Sequence, residues 1–319
     1  MEDYILKVKD LSVELNSIDG KYQILDEISF DLARGTTLGV VGESGCGKSM
    51  LANSIMGLIS KPLKVKSGSI LFEGQELVGL KEKELQKIRG KKIAMIFQDP
   101  MTSLNPIIKC GHQIVETIRA HENVSKQEAK DRALSLISQV GLDNPGIVYN
   151  KIPAELSGGQ RQRIVIAMAL ACSPDLIICD EPTTALDVRI QKQILQLIKK
   201  LVKETNSSCI FISHDMGVVA NMSDYVMIMY AGQIVEISDV KGLFSCSRHP
   251  YTKGLRASLP QSALEGHKLK EIVGSVPMLN ALPEGCLFAP RCEQASERCF
   301  KECPSLVDFG GYSIRCFNC

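Results

Sequence analysis

The chain predicts an α/β fold: a largely parallel sheet covered on both faces by helices, with an antiparallel portion near the start. Three observations carry this. Short apolar, β-branched runs recur along the chain as TTLGVVG, KKIAMIFQD, DLIICDEP and SCIFISHD. Stretches of helical spacing follow them, such as KSMLANSIMGLI and IQKQILQLIKKLVKET, and that alternation is the pattern of parallel strands joined by crossover helices. The opening, YILKVKDLSVEL, then SIDGK, then ILDEISFDLARG, instead reads as two strands around a turn, and SGSILFEGQEL as a second hairpin.

Taken in order, TTLGVVG is a buried strand, a glycine-rich turn follows, and KSMLANSIMGLI is a helix. Residues 110–150 are polar and helix-patterned; SKQEAKDRALSLISQVGL has a candidate N-cap at Ser125 and a stop at Gly141. QRQRIVIAMALACSP is a helix ended by Ser-Pro, DLIICDEP a buried strand, and SCIFISHD another. After YAGQIVEISDV the pattern weakens. SRHPYTKGLRASLP is a short helix between prolines, residues 261–285 carry Gly and Pro breaks, and a cysteine-rich segment follows. A domain boundary is placed near residue 240, giving domains 1–240 and 241–319.

The chain has 319 residues, 45% of them apolar, which is ample for a buried core. A net charge of +1 excludes a global basic field for nucleic acid, and the absence of Trp argues against base-stacking platforms. The N-terminus MEDYILKVKD has no apolar signal core, and no stretch reaches the roughly 18 apolar residues of a membrane span. A soluble chain in a reducing compartment is expected, with any membrane role arising through a partner. Its twelve cysteines there read as thiols or metal ligands rather than disulfides.

GESGCGKS, comprising Gly42, Glu43, Ser44, Gly45, Cys46, Gly47, Lys48 and Ser49, fits the phosphate-loop pattern and lies between a strand and a helix. Glycines let the backbone curl so that successive N–H groups point at phosphate oxygens, and the helix adds its positive end. Lys48 is expected to reach the β- and γ-phosphates of ATP and Ser49 to ligate Mg²⁺. In LIICDEP a strand ends in carboxylates. Asp180 is expected to hold Mg²⁺ through water, and Glu181 to orient or deprotonate the attacking water. A lone Asp-Glu after a strand is more often a solvated strand end; the phosphate loop tips the reading to catalysis.

LSGGQRQR, Leu156 to Arg163, completes a set of motifs that resembles the ATPase subunit of an ABC transporter. The resemblance runs in order over residues 1 to about 240: the phosphate loop, a glutamine loop at Gln98 in IFQDP, the signature LSGGQ, the strand LIICDE, TALD ending at Asp187, and a switch histidine at His214 in ISHD. It implies an ABC-type P-loop ATPase with an antiparallel β subdomain and a helical signature subdomain. It also implies that Ser157, Gly158, Gly159 and Gln160 serve the nucleotide of an opposite ATPase subunit, that Gln98 contacts Mg²⁺ and water, and that His214 holds the γ-phosphate. Ser157 opens a helix, so hydroxyl, N–H groups and dipole all suit an anion. Such ATPases stack the adenine on an upstream aromatic. Counting by resemblance lands near Asp19, and Tyr22 is the nearest candidate.

QDPMTSLNP, HPYTKGL and GCLFAPRC further resemble the oligopeptide, dipeptide and nickel importer subfamily. That likeness implies peptide import, with nickel or a metal chelate as the alternative cargo. It implies a second, related ATPase subunit, two membrane permease subunits, an extracytoplasmic substrate-binding protein, and a peripheral location on the cytoplasmic face of the membrane. A soluble ABC ATPase acting on DNA or ribosomes is the rival reading. No coiled-coil heptad run separates phosphate loop from signature, and the chain holds one ATPase module, both of which count against it.

CLFAPRCEQASERCFKEC concentrates four cysteines, with Cys316 and Cys319 beyond it. Five residues separate Cys286 from Cys292, six separate Cys292 from Cys299, three separate Cys299 from Cys303, and sixteen separate Cys299 from Cys316. None of these four spacings is the C-x₂-C of structural zinc sites, and ferredoxin spacings do not match. Ligand type allows Zn²⁺ or an iron–sulfur cluster, and partly buried free thiols are the third reading. The subfamily resemblance implies a 4Fe–4S cluster on Cys286, Cys292, Cys299 and Cys316, with Cys303 the rival fourth ligand and Cys319 the least favoured. A segment this poor in apolar residues cannot bury enough surface to fold alone, so the extension is expected to be metal-stapled, while the sheet and motifs before residue 240 owe nothing to the metal.

Overall fold

Apolar residues every second position draw the first two strands into a hairpin. In the computed structural model, β1 (Tyr4–Ser17) and β2 (Gly20–Ala33) pair antiparallel up to Ser17↔Gly20, leaving Ile18 and Asp19 as the turn. Leu6, Val8, Leu11 and Val13 are buried opposite Leu32, Phe30, Ile28 and Leu25. Val8 and Leu11 are an odd number of residues apart, and a register shift between them keeps both on the buried face. The structure describes residues 3–184, 186–259 and 272–318. They form two compact units, Met1–Gly79 with Phe211–Cys319, and Leu80–Ile210.

In the first unit, β3 (Thr37–Val41) leads through the glycine turn into α1 (Lys48–Ile55). β4 (Leu63–Phe72) returns beside β1, and β5 (Gln75–Glu76) closes a sheet of order β2-β1-β4-β5, the predicted antiparallel portion.

The second unit opens with α2 (Glu82–Ile88) and β6 (Ile93–Ile96), then α3 (Pro100–Ser103). A helical group follows: α4 (Cys110–His121), α5 (Lys126–Gln139), α6 (Pro145–Asn150) and α7 (Gly158–Ala169). Ser125 caps α5 as expected, its hydroxyl accepting from the Glu128 N–H at 3.1 Å. β7 (Leu176–Asp180) pairs parallel with β6 and is buried throughout. α8 (Val188–Thr205) covers the unit with Ile194, Ile198 and Leu201, one stripe at helical spacing.

β8 (Ser208–Ser213) returns the chain to the first unit, followed by α9 (Met216–Met222) and β9 (Tyr225–Tyr230). β9 lies parallel to β3, and β10 (Gln233–Asp239) folds back antiparallel on β9. α10 (Val240–Ser245) and α11 (Pro250–Ala257) follow. β11 (Val307–Asp308) and β12 (Tyr312–Ile314) add two short antiparallel strands along β10.

The extension, expected to be metal-stapled, packs as part of the first unit. It is pinned by protein contacts: β12 pairs with β10, and the buried Arg315 donates from Nε to Ile234 O at 2.9 Å and from Nη1 to Pro304 O at 3.1 Å. The apolar surface that the segment lacks is supplied by the unit it packs on. Among the described residues no group of three His, Cys, Asp or Glu side chains is gathered to hold a metal ion. Among the same residues no helix is long and apolar enough to cross a membrane.

Candidate functional site

The phosphate loop is shaped by what surrounds it. Gly47, the residue before α1, has φ 102° and Gly45 has φ 81°, conformations that a side chain would strain. Gly42 is required by space: a Cβ there would stand 2.3 Å from Met229 O. The outer side is laced to neighbouring strands, with Gly232 N–H donating to Cys46 O at 3.0 Å and Asp26 N–H to Gly232 O at 2.9 Å. Cys46 is fully buried, and burial raises its thiol pKa against the pull of the Lys48 charge, so it stays a neutral filler. Lys48 is 5% exposed; its ammonium donates to Gly42 O at 2.8 Å and Glu43 O at 3.0 Å. Ser44 and Ser49 are exposed. A concave run of backbone with a buried ammonium at a helix start is an anion cradle.

Tyr22 sits on β2, its hydroxyl donating to Asp19 O at 3.5 Å. Three residues further on, the same strand abuts the loop: a Cβ on Gly47 would meet Leu25 Cδ2 at 2.7 Å. His214 is exposed at the end of β8, and the next residue, Asp215, caps α9 by accepting from Gly217 N–H at 2.8 Å. Loop, Tyr22 and His214 all belong to the first unit.

The second unit carries the carboxylates and the signature. Asp180 ends β7 and is 6% exposed. Glu181 has φ 46°, a left-handed conformation uncommon for a residue with a side chain and frequent where function constrains the backbone. Its Oε2 accepts from Thr184 Oγ1 at 2.9 Å and from Gln98 Nε2 at 3.4 Å. The structure thus brings Gln98 and Glu181 together. Thr184 was not foreseen; a Thr three residues after the carboxylate was the only available signal.

Ser157 and Gln160 form a capping box at the start of α7: Ser157 Oγ accepts from Gln160 N–H at 3.3 Å, and Gln160 Oε1 accepts from Ser157 N–H at 3.0 Å. Asp187 caps α8, accepting from Ile190 N–H at 3.0 Å. Gly158 and Gly159 open α7, and a Cβ on Gly159 would stand 2.7 Å from Ile190 Cγ2. Packing of α7 against α8 therefore requires that glycine before any ligand does.

The extension reaches the phosphate loop. His249 caps α11, its Nδ1 accepting from Tyr251 N–H at 3.1 Å. Tyr251, Tyr230, His249 and Phe288 form a ring cluster with centroids 4.8–5.8 Å apart. Tyr251 Oη accepts from Glu43 N–H at 3.0 Å, and Arg291 Nη1 lies 2.9 Å from Glu43 Oε1. These partners are 208 and 248 residues from Glu43 in sequence, beyond any local pattern.

Cys286, Cys292, Cys299 and Cys316 line one small cavity with His249 and Phe288, of about 10 Å³, the lower limit for one water. Burial pushes the Cys286 thiol up to about 11 and raises Cys292 as well. Cys316 Sγ accepts from Asn318 N–H at 3.4 Å. Cys303 is not among the residues lining that cavity; its Sγ lies 3.6 Å from Gln233 Nε2. Cys319 lies outside the described residues. The four sulfurs line one space, but among the described residues they do not form a group placed to hold a metal ion.

Comparison with known proteins places this geometry among relatives. A family model described as ABC transporter matches residues 25–184, and one described as oligopeptide/dipeptide transporter, C-terminal region, matches residues 235–299. The oligopeptide transport ATP-binding protein OppD of Bacillus subtilis (strain 168) is 51% identical over 95% of this chain and 85% of its own. The dipeptide transport ATP-binding protein DppD of the same organism is 46% identical, over 98% and 94%. OppD of Escherichia coli (strain K12) is 44% identical, over 99% and 94%. Among solved structures, the dimeric post-hydrolysis state of the ATP-binding cassette MJ0796, bound to ADP and phosphate, superposes with a TM-score of 0.66 at 28% identity, over 74% of this chain and 98% of that one. The structure of cbiO1 from Clostridium perfringens, part of the ABC transporter complex cbiONQ, gives 0.67 at 28% identity, over 84% and 100%.

Proposed function

The chain belongs to the ABC transporter family, and from that membership we propose that it is the MgATP-hydrolysing subunit of an importer of oligopeptides or dipeptides. One observation carries the peptide assignment: the likeness continues past the ATPase core, through α11 and into the cysteine segment.

The roles follow from chemistry. The loop from Gly42 to Ser49 binds the triphosphate, Lys48 exchanging its two carbonyl partners for phosphate oxygens. Ser49, Gln98 and, through water, Asp180 serve Mg²⁺. Glu181 is the general base, its carboxylate oriented by the Thr184 hydroxyl and the Gln98 amide. His214 holds the γ-phosphate, Tyr22 packs on the adenine, and Asp187 belongs to the loop facing the second ATPase. Ser157 to Gln160 act on that partner's nucleotide; the dimeric state of the MJ0796 cassette supports a paired arrangement. The remaining partners are two permeases and, indirectly, a substrate-binding protein, with this subunit on the cytoplasmic face.

Residues 1–240 carry the ATPase and 241–319 the extension. Cys286, Cys292, Cys299 and Cys316 are assigned to a 4Fe–4S cluster, with Zn²⁺ as the alternative; their shared cavity supports the assignment, and the centre would serve as a structural clip.

Glu181→Gln keeps the size and removes the proton acceptor. MgATP should still bind, while steady-state hydrolysis by the assembled transporter falls about a hundredfold or more. Turnover near the unsubstituted rate would remove Glu181 from this role.

A further inference from the structure

We infer that Arg291 and Tyr251 of the extension set the charge and the shape of the phosphate loop at Glu43, so that nucleotide affinity depends on the extension. The inference rests on the reading of Gly42–Ser49 as the ATP site.

The loop carries a feature that opposes its own ligand. Its second residue is a carboxylate, placed beside a site for a polyanion, where like charges repel. Arg291 answers that charge. Its Nη1 lies 2.9 and 3.2 Å from the two Glu43 oxygens, and its side chain is only 6% exposed. The rest of the guanidinium is engaged too: Nε donates to Val273 O at 3.0 Å, and Nη2 to Ile272 O at 3.3 Å and Gly274 O at 3.1 Å. Nη1 also reaches Tyr230 Oη at 3.4 Å. A planar fork anchored on every side holds its charge at one point, and it holds the Glu43 carboxylate there with it.

Tyr251 acts on the backbone. Glu43 N–H and Gly42 C=O belong to one peptide group. Tyr251 Oη takes the N–H, and Lys48 Nζ donates to the C=O at 2.8 Å. The peptide is therefore fixed from both ends, by the residue that meets phosphate and by the extension. Tyr251 is fully buried against Tyr230 and Phe288, so its hydroxyl has little freedom to follow a shifting loop. Arg291 and Tyr251 are positioning residues; neither is assigned a contact with nucleotide.

The test is the equilibrium affinity of the full-length subunit for MgATP and MgADP, by displacement of a fluorescent nucleotide, with a thermal midpoint for each variant. Arg291→Met should weaken MgATP binding about tenfold and MgADP binding less, because the diphosphate carries less charge. Adding Glu43→Gln to it should recover most of that loss, because no carboxylate is left stranded. Arg291→Lys keeps the charge without the fork and should lose about threefold or less. Wild-type affinity in Arg291→Met, or a double variant as weak as Arg291→Met alone, would overturn the inference; so would a lowered midpoint with unchanged affinity. If Arg291→Met does not fold, Glu43→Gln alone decides: its MgATP affinity should rise, and a fall of more than about threefold counts against the charge argument. Lys48→Ala separates the two readings. Equal nucleotide binding by wild type and Lys48→Ala would fault the ATP-site assignment itself.

Discussion

His249 shows how a single side chain ties sequence to a pH limit. As the N-cap of α11 it accepts a hydrogen bond at Nδ1, which requires an unprotonated nitrogen. Burial, with the Lys253 charge acting the same way, lowers its pKa from 6.5 to about 4. The folded state holds it neutral while the unfolded chain protonates near 6.5. Its contribution is therefore complete above pH 6.5 and is lost as pH falls toward 4, by about 3 kcal/mol in all. His249→Asn keeps a capping acceptor without the titration. Denaturant unfolding at pH 7 and pH 4.5 should show a smaller drop for the variant; equal drops would mean that His249 does not set the acid limit. Glu181 makes a different point at this scale: its left-handed backbone is set by the turn after β7, and no reading of LIICDEP predicts it.

Helix starts dominate at the level of elements. α7, α8, α9 and α11 each begin at a side-chain cap, supplied by Ser157, Asp187, Asp215 and His249. For α7 the cap coincides with the proposed anion site, so one substitution tests both roles. Ser157→Arg removes the capping acceptor and should cost about 1 kcal/mol of stability. It also places bulk and charge where the opposite subunit's phosphate is proposed to sit. Hydrolysis by the assembled pair should fall about tenfold or more, while MgATP affinity of the isolated subunit changes less than about twofold. Matching losses of binding and hydrolysis in the isolated subunit would contradict a signature that serves the partner. Legibility was high at this scale. The hairpins, the Ser125 cap and the strands ending in Val41 and Asp180 follow from local pattern, because caps and period-two alternation act within a few residues.

Across the whole molecule, the extension and the nucleotide loop are joined through Arg291, the residue before Cys292. Assay of the anaerobically purified subunit should find iron and sulfide in stoichiometric amount. Cys292→Ser should release them, because a serine hydroxyl is a poor substitute for thiolate, and should make the extension protease-sensitive. With Arg291 displaced, MgATP affinity should fall in the same variant. Stoichiometric zinc without sulfide would replace the cluster and keep the clip. No metal in a protein with an ordered extension would overturn both metal readings and leave protein contacts, among them those of β12, Arg315, Phe288 and Arg291, to hold it.

By itself the sequence determined the elements, their order, the phosphate loop and the carboxylates after β7, because each rests on contiguous residues whose sterics and charge act locally. It also marked HPYTKGL and CLFAPRC as distinctive without showing what they touch. Only the tertiary structure decided that Tyr251 and Arg291 meet Glu43, that Gly159 is small because Ile190 is there, and that Cys303 meets Gln233 outside the cavity lined by the other four cysteines. The physical reason is the same in each case. These contacts join residues far apart along the chain or on separate elements, and their geometry comes from packing, which no local propensity encodes.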